Sequence, residues 1–241
     1  MDKVFIQTWP DGVWLSENQF KAFLGFDERG YEVEPFTFKD LLAGKLNLTP
    51  ETIVVGSVDA VRKAFQILGV ALPDNIDIPE CLLEFSGRDI WDSTLGEIRK
   101  LKDPVFIKPK VQHKAFTGHI VGSFKDLIET APLGDDFPVL VQEIVKFVSE
   151  YRTMVLRGEI LGVKHYCGDP LLFPCPDVIR SMVEKYKGSC PVAYSIDVGV
   201  TPEGGTLLIE VNDSFALGAY GLCRSKYVDM IEARWMEIVK G

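Results

Sequence analysis

The chain has 241 residues, 46% of them hydrophobic and 25% charged, with a formal net charge of −9. That is enough chain for a large core and one or two domains, while its acidic surface repels phosphate backbones and argues against nucleic acid as a main partner. No apolar run approaches the ~18 residues of a membrane span and Met1-Asp2-Lys3 opens no signal peptide, so a cytoplasmic protein with no membrane partner is expected.

Val4–Gln7 reads as a first strand, ended by Trp9-Pro-Asp-Gly12, and Glu17–Leu24 as a short helix. Tyr31–Phe36 reads as an edge strand because of Pro35. Thr52–Gly56 is an apolar strand, and Val58–Leu68 has helical spacing after it. This strand–helix alternation predicts a small α/β unit with a partly parallel sheet over residues 1–75. Pro73–Pro79 is a break, and a connector over 76–102 carries a predicted helix at Leu95–Leu101.

From Asp103 the pattern turns to strands and hairpins. Val105–Pro109 is a strand. Ser123–Thr130 is helical, with Ser123 and Asp126 spaced like a capping box. Val139–Val145 is a buried strand. Tyr151–Leu156 and Glu159–His165 form a hairpin around Arg157-Gly158, and Asp177–Lys187 is a helix closed by Gly188. Ala193–Val200 and Thr206–Val211 form a second hairpin, and Tyr227–Lys240 is an amphipathic terminal helix. The five cysteines (Cys81, Cys167, Cys175, Cys190, Cys223) are scattered and include no C-x-x-C pair. That pattern argues against a zinc site or disulfide framework and fits a reducing cytosol.

Chemistry concentrates in the second half. Glu210 and Asn212 are two apart in an apolar run, so a strand turns both to one face. A carboxylate and an amide oxygen side by side suit a hard cation such as Mg²⁺; read alone, they are equally a strand end with a polar turn. Asp197 sits inside a strand, where acids are depleted. If Val200 pairs with Leu207, Asp197 falls opposite Glu210 and the three side chains converge; a slip of one residue would undo this. Lys108 ends an apolar strand, with Lys110 two residues on, and calls for an anionic partner such as phosphate. The loop that follows, through Lys114 to Gly118, suits a phosphate cover or a plain solvated hairpin. Gln142–Val145 suits the edge of an adenine ring or a core strand ending in polar residues. Glu150, Arg152 and, across the hairpin, Lys164 suit an anion grip or a surface ion pair.

In order and rough spacing, Val105-Phe-Ile-Lys-Pro109, the loop to Gly118, Val141-Gln-Glu-Ile-Val145, Glu150-Tyr-Arg152, Lys164, Asp197 and Ile209-Glu-Val-Asn212 resemble the ATP-grasp superfamily. Arg152 and Lys164 resemble a phage and bacterial branch marked by a hairpin arginine and lysine, and also the ribosomal-protein glutamate ligases. The resemblance implies an α/β (α+β) fold. A small pre-ATP-grasp-like unit over 1–75 and a connector over 76–102 would precede an ATP-grasp domain of two α+β subdomains over 103–241. It implies ATP and Mg²⁺ as cofactors. Lys108, with Lys110 and Lys114 near it, would bind phosphates beneath the loop ending at Gly118. Gln142, Glu143 and Val145 would line the adenine pocket, and Glu150 would hold ribose or support Arg152. Asp197, Glu210 and Asn212 would hold metal, Arg152 and Lys164 would neutralise the moving phosphoryl group, and Tyr220 and Arg224 would meet the acceptor.

Many members of the superfamily carry a further nucleotide-binding lysine upstream; here Arg88, Arg99, Lys100 and Lys102 occupy the connector and none stands out. The expected activity is a carboxylate–amine ligase that makes an acylphosphate and releases ADP, with a small-molecule or peptide carboxylate and an amine as substrates. Its rivals are a kinase of the same fold and a non-catalytic nucleotide-binding module.

Overall fold

A computed structural model describes residues 3–110 and 115–241. Three sheets organise them. The first begins with β1 (Lys3–Gln7), continues through α1 (Glu17–Asp27), β2 (Glu32–Phe36) and α2 (Phe38–Leu42), and ends with β3 (Ile53–Val55) and α3 (Val58–Ile67). Its strands run parallel in the order β2-β1-β3, with Pro35 on an outer strand as expected. Side chains cap the helices: Ser16 accepts from the Asn18 N–H, and Ser57 from the Ala60 N–H. The short α2, absent from the sequence reading, starts at a capping box between Thr37 and Asp40. In α3 the residues Ala60, Val61, Ala64 and Phe65 bury one stripe against the sheet.

The connector is not strandless. β4 (Ile90–Thr94) joins an antiparallel sheet of order β4-β7-β5-β6, with β5 (Val105–Pro109), β6 (His119–Val121) and β7 (Pro138–Gln142). The polar Asp92-Ser-Thr94 stretch of an outer strand masked it. The predicted helix there shrinks to α4 (Leu95–Ile98), and the segment after Ser123 forms a 3-10 helix with the Ser123–Asp126 capping box in place. β7 stops at Gln142, so Glu143–Val145 leave the sheet.

β8 (Ser149–Leu156) and β9 (Glu159–Gly168) meet at a turn in which Arg157 and Gly158 both have positive φ, +51° and +78°, as a tight two-residue hairpin requires. α5 (Pro176–Tyr186) leads to β10 (Ala193–Val200), β11 (Thr206–Asp213) and α6 (Arg224–Lys240). The third sheet is antiparallel, in the order β11-β10-β8-β9.

One continuous core joins the first sheet to the end of the chain: Val4, Ile6, Phe26 and Phe65 pack with Tyr227, Ile231 and Trp235 of α6. Trp235 is 1% exposed and stacks on Phe65, with ring centroids 4.8 Å apart. Replacing Trp235 with Ala should therefore cost about 3–5 kcal/mol in chemical denaturation and loosen α3 and α6 together.

Candidate active site

The hairpin of β10 and β11 does not follow the register expected at its turn. Val200 pairs with Thr206, not Leu207. A bulge then shifts the register between Asp197 and Val198, leaves Ile209 unpaired, and brings Asp197 opposite Glu210. The bulge also breaks the alternation of faces. Leu208 and Val211 enter the core, whereas Ile209 and Glu210, adjacent in sequence, both line the cleft between the two antiparallel sheets. A regular strand forbids that.

Pairing extends the alignment across the sheet. Arg152 lies opposite Asp197 on one side and Lys164 on the other. Lys164, Arg152, Asp197 and Glu210 thus form one row over four strands. Arg152 donates from Nε and Nη2 to the two oxygens of Asp197, at 2.7 and 2.5 Å, and the pair is buried. The Tyr220 ring covers its guanidinium, 4.3 Å from centroid to Cζ, and Tyr166 stands at 5.9 Å. Tyr220 reaches this place with φ at +47°, an uncommon conformation for a bulky residue. The Asn212 Nδ2 sits 3.0 Å from Glu210 Oε1 and 3.4 Å from Asp197 Oδ2. Lys108 Nζ lies 3.3 Å from Glu210 and bonds Asp77, a connector residue whose carbonyl accepts from the Val211 N–H at 2.6 Å.

The charges do not balance comfortably. Burial pushes the Asp197 carboxyl above its usual range despite the Arg152 fork, with Glu210 and Glu150 adding to the shift. Burial likewise raises Asp77 against the pull of Lys108. For Glu210 burial acts in the same direction, but Lys108, Asn212 and Arg152 together outweigh it and hold the group low. Two of three neighbouring carboxylates therefore carry charge less readily than in water. Among the described residues no three of His, Cys, Asp and Glu are grouped so as to hold a metal ion; the candidate donors are two carboxylates and one amide. With the Asn212 oxygen turned inward, that all-oxygen set suits a hard divalent cation, whose charge would relieve Asp197.

A cleft of about 400 Å³ holds Lys108, Gly118, Gln142, Glu143, Val145, Glu150 and Glu210 along its walls. Phe106, Ile144 and Phe147 supply flat apolar surface there. Phe147 packs on Gly199, where a Cβ would collide with its ring. Gln142 is 4% exposed; its Oε1 accepts from Arg88 Nε at 2.9 Å, and its buried Nε2 has no partner among the described residues. The Glu143 carboxylate already accepts from the Asp89 N–H at 2.9 Å. Tyr166 stands beside Glu150, its phenol pushed up by burial and by Asp197.

The remaining predicted residues fall elsewhere. Lys110 pairs with Asp92 at 2.5 Å outside the cleft. Lys114 lies outside the described residues. Lys164 has no ionic or hydrogen-bond partner among the described residues. Arg224, the first residue of α6, bonds Glu28, just past the end of α1, in a separate groove and does not reach the row. Three residues that line or touch the site were not singled out from sequence: Asp77, Tyr166 and Arg88. Arg88 stood among four connector cations without a distinguishing signal, and Asp77 lay inside a proline-bounded break.

Solved structures of similar architecture are ATP-grasp proteins. D-alanine–D-alanine ligase from Bacillus anthracis complexed with ATP superposes with a TM-score of 0.59 at 19% identity, covering 99% of this chain and 97% of that one. An ATP-grasp RimK domain protein from Sphaerobacter thermophilus gives 0.56 at 15% identity, covering 99% and 100%. The ADP complex of the N5-carboxyaminoimidazole ribonucleotide synthetase PurK gives 0.63 at 12% identity, covering 97% and 77%. No curated protein sequence matches the chain. The fold is therefore that of the ATP-grasp proteins. The sequence pattern of an ATP-grasp domain family, the second family of its clade, matches residues 85–230, and the chain belongs to that family.

The buried fork gives a stability test. Arg152→Ala leaves Asp197 as an uncompensated buried charge and should cost about 3–5 kcal/mol. Arg152→Met with Asp197→Leu should recover most of that loss in urea unfolding; equal losses for the single and double variants would contradict the description of the pair.

Proposed function

We propose that this chain is an ATP- and Mg²⁺-dependent carboxylate–amine ligase that works through an acylphosphate and releases ADP. The observation that carries the reading is the row Lys164–Arg152–Asp197–Glu210, two cations followed by two carboxylates, beside a cleft with apolar walls and a buried lysine. Gln142 lines that cleft and would meet an edge of the base. Lys108 suits the nucleotide phosphates, and Glu150 a ribose hydroxyl. Asp197, Glu210 and Asn212 would hold Mg²⁺, which when bound neutralises charge on the β- and γ-phosphates.

In the reaction a carboxylate oxygen of the acceptor attacks the γ-phosphorus and ADP leaves. Arg152 and Lys164 then face the charge that spreads over the moving phosphoryl group. The amine nitrogen attacks the acyl carbon, loses its proton, and inorganic phosphate departs. Tyr220 lies over Arg152, and the Ala219 N–H beside it donates to Asn18 of α1, so the first sheet's unit would stand next to the acceptor. The nature of the solved relatives supports the class, since two of those named are a D-alanine–D-alanine ligase and a ribonucleotide synthetase. Among the described residues no helix is long and apolar enough to cross a membrane. Cys81, Cys167, Cys175, Cys190 and Cys223 are all free thiols, which suits a reducing, cytoplasmic location.

Incubation with ATP, Mg²⁺ and a panel of carboxylates and amines should yield ADP and inorganic phosphate for at least one pair. Glu210→Gln and Lys108→Ala should each slow that release roughly hundredfold with the circular dichroism unchanged. Bound nucleotide without ADP release for any pair would count against the ligase, and a stable phosphorylated acceptor would make it a kinase.

A further inference from the structure

The bulge that turns Glu210 into the cleft needs something to hold it. β11 is the outer strand of its sheet, so the carbonyls on its free side have no neighbouring strand. An unpaired residue in such a strand is a place where the ladder can slip by one, and a slip would turn Glu210 away from Asp197.

Arg88 closes that gap. Its Nη1 donates to the Leu208 carbonyl at 2.7 Å and its Nη2 to the Ile209 carbonyl at 3.0 Å, the two residues that form the bulge. The same guanidinium donates from Nη1 to the Ser86 carbonyl at 2.9 Å and from Nε to Gln142 Oε1, also at 2.9 Å. Every one of these acceptors is neutral; Arg88 forms no ion pair among the described residues, and the carboxylates of Asp77 and Glu210 act on it only through space while burial works against its charge. Burying a cation to serve neutral oxygens is an expensive arrangement, unless the fork does something a smaller donor cannot. A guanidinium presents several donors in one rigid plane and spans acceptors from two chain segments at once; an ammonium is a single point. Here the acceptors belong to the strand that carries Glu210 and to the strand whose end carries Gln142, on opposite sides of the cleft.

We propose that Arg88 is a positioning residue: by bridging the bulge carbonyls of Leu208 and Ile209 to the Gln142 side chain, it sets the direction of Glu210 and couples the metal-binding wall of the cleft to the base-reading wall. The proposal rests on the nucleotide-and-metal reading of the cleft. The connector contributes a second fastening a few residues away, where the Asp77 carbonyl takes the Val211 N–H of the same strand. Arg88 and Asp77 therefore grip β11 on either side of Glu210.

Two measurements on the full chain test this, using Arg88→Met and Arg88→Lys. Hydrogen exchange without nucleotide should show faster exchange confined to β11 and its partner β10 in Arg88→Met, and partial protection in Arg88→Lys. Calorimetry with a non-hydrolysable ATP analogue, with Mg²⁺ and then with chelator, should show that Arg88→Met loses at least tenfold of the Mg²⁺-linked gain in affinity while its metal-free affinity moves less than threefold. Arg88→Lys should restore less than half of that gain on a logarithmic scale. Unchanged exchange in β11, or a Mg²⁺-linked gain kept in full, would overturn the proposal. So would equal losses with and without metal, which would mark Arg88 as a direct nucleotide contact. Wild-type protein whose nucleotide affinity ignores Mg²⁺ would instead sink the functional reading, and this proposal with it.

Discussion

The site depends on one electrostatic constraint: carboxylates from neighbouring strands, one buried and one half-buried, stand side by side and must be offset by cations. Asp197 and Glu210 face each other directly across β10 and β11, and Asp77 approaches the same lysine from the connector. Arg152 and Lys108 answer part of that charge. Burial still leaves Asp197 and Asp77 shifted toward the neutral form. A protein that only needed stability would do better with apolar side chains of similar volume at these positions. The retained charges, arranged in a row that ends in two cations and lies beside an apolar cleft, are consistent with the proposed site for a metal-bound triphosphate.

The rest of the structure holds that row in place. The bulge at Ile209 lets two consecutive residues of β11 enter the cleft while their neighbours stay in the core. The connector fastens β11 from its open side through Asp77 and Arg88. The strained backbone of Tyr220 lays a ring over Arg152 and fixes the plane of the fork. The first sheet packs on α6 through one shared core, so the unit that would carry acceptor contacts is anchored to the same helix that follows the Tyr220 loop. In the proposed reaction an acceptor would then meet the γ-phosphate in a fixed geometry, without the cost of ordering two loosely joined bodies.

Much of this was legible in the sequence, for identifiable physical reasons. Strands and helices announced themselves by period: the apolar run at Ile53, the stripe of α3 and the Arg157-Gly158 turn follow from local sterics. The face shared by Glu210 and Asn212 follows from alternation alone. The register of Asp197 was harder. Counting back from the turn gave the facing pair through a pairing that does not occur, because a loop one residue shorter than that count assumes and the one extra residue in the bulge offset each other. Nothing local in Leu208-Ile-Glu marks a bulge, since its stabilising partner is Arg88, distant in the chain. Arg224 illustrates the same limit: its partner Glu28 lies just past α1, nearly the whole chain away. β4 escaped notice because an outer strand with polar residues has no apolar signature.

The decisive question is whether Asp197, Glu210 and Asn212 share one divalent cation beneath a triphosphate. Crystals of the full chain grown with a non-hydrolysable ATP analogue and Mn²⁺, measured at the manganese absorption edge, address that directly. An anomalous peak among the oxygens of these three residues, with Arg152 swung from Asp197 toward the terminal phosphate, is the expected result. Manganese elsewhere, or nucleotide bound with the Arg152–Asp197 fork intact and no metal between Asp197 and Glu210, would contradict it.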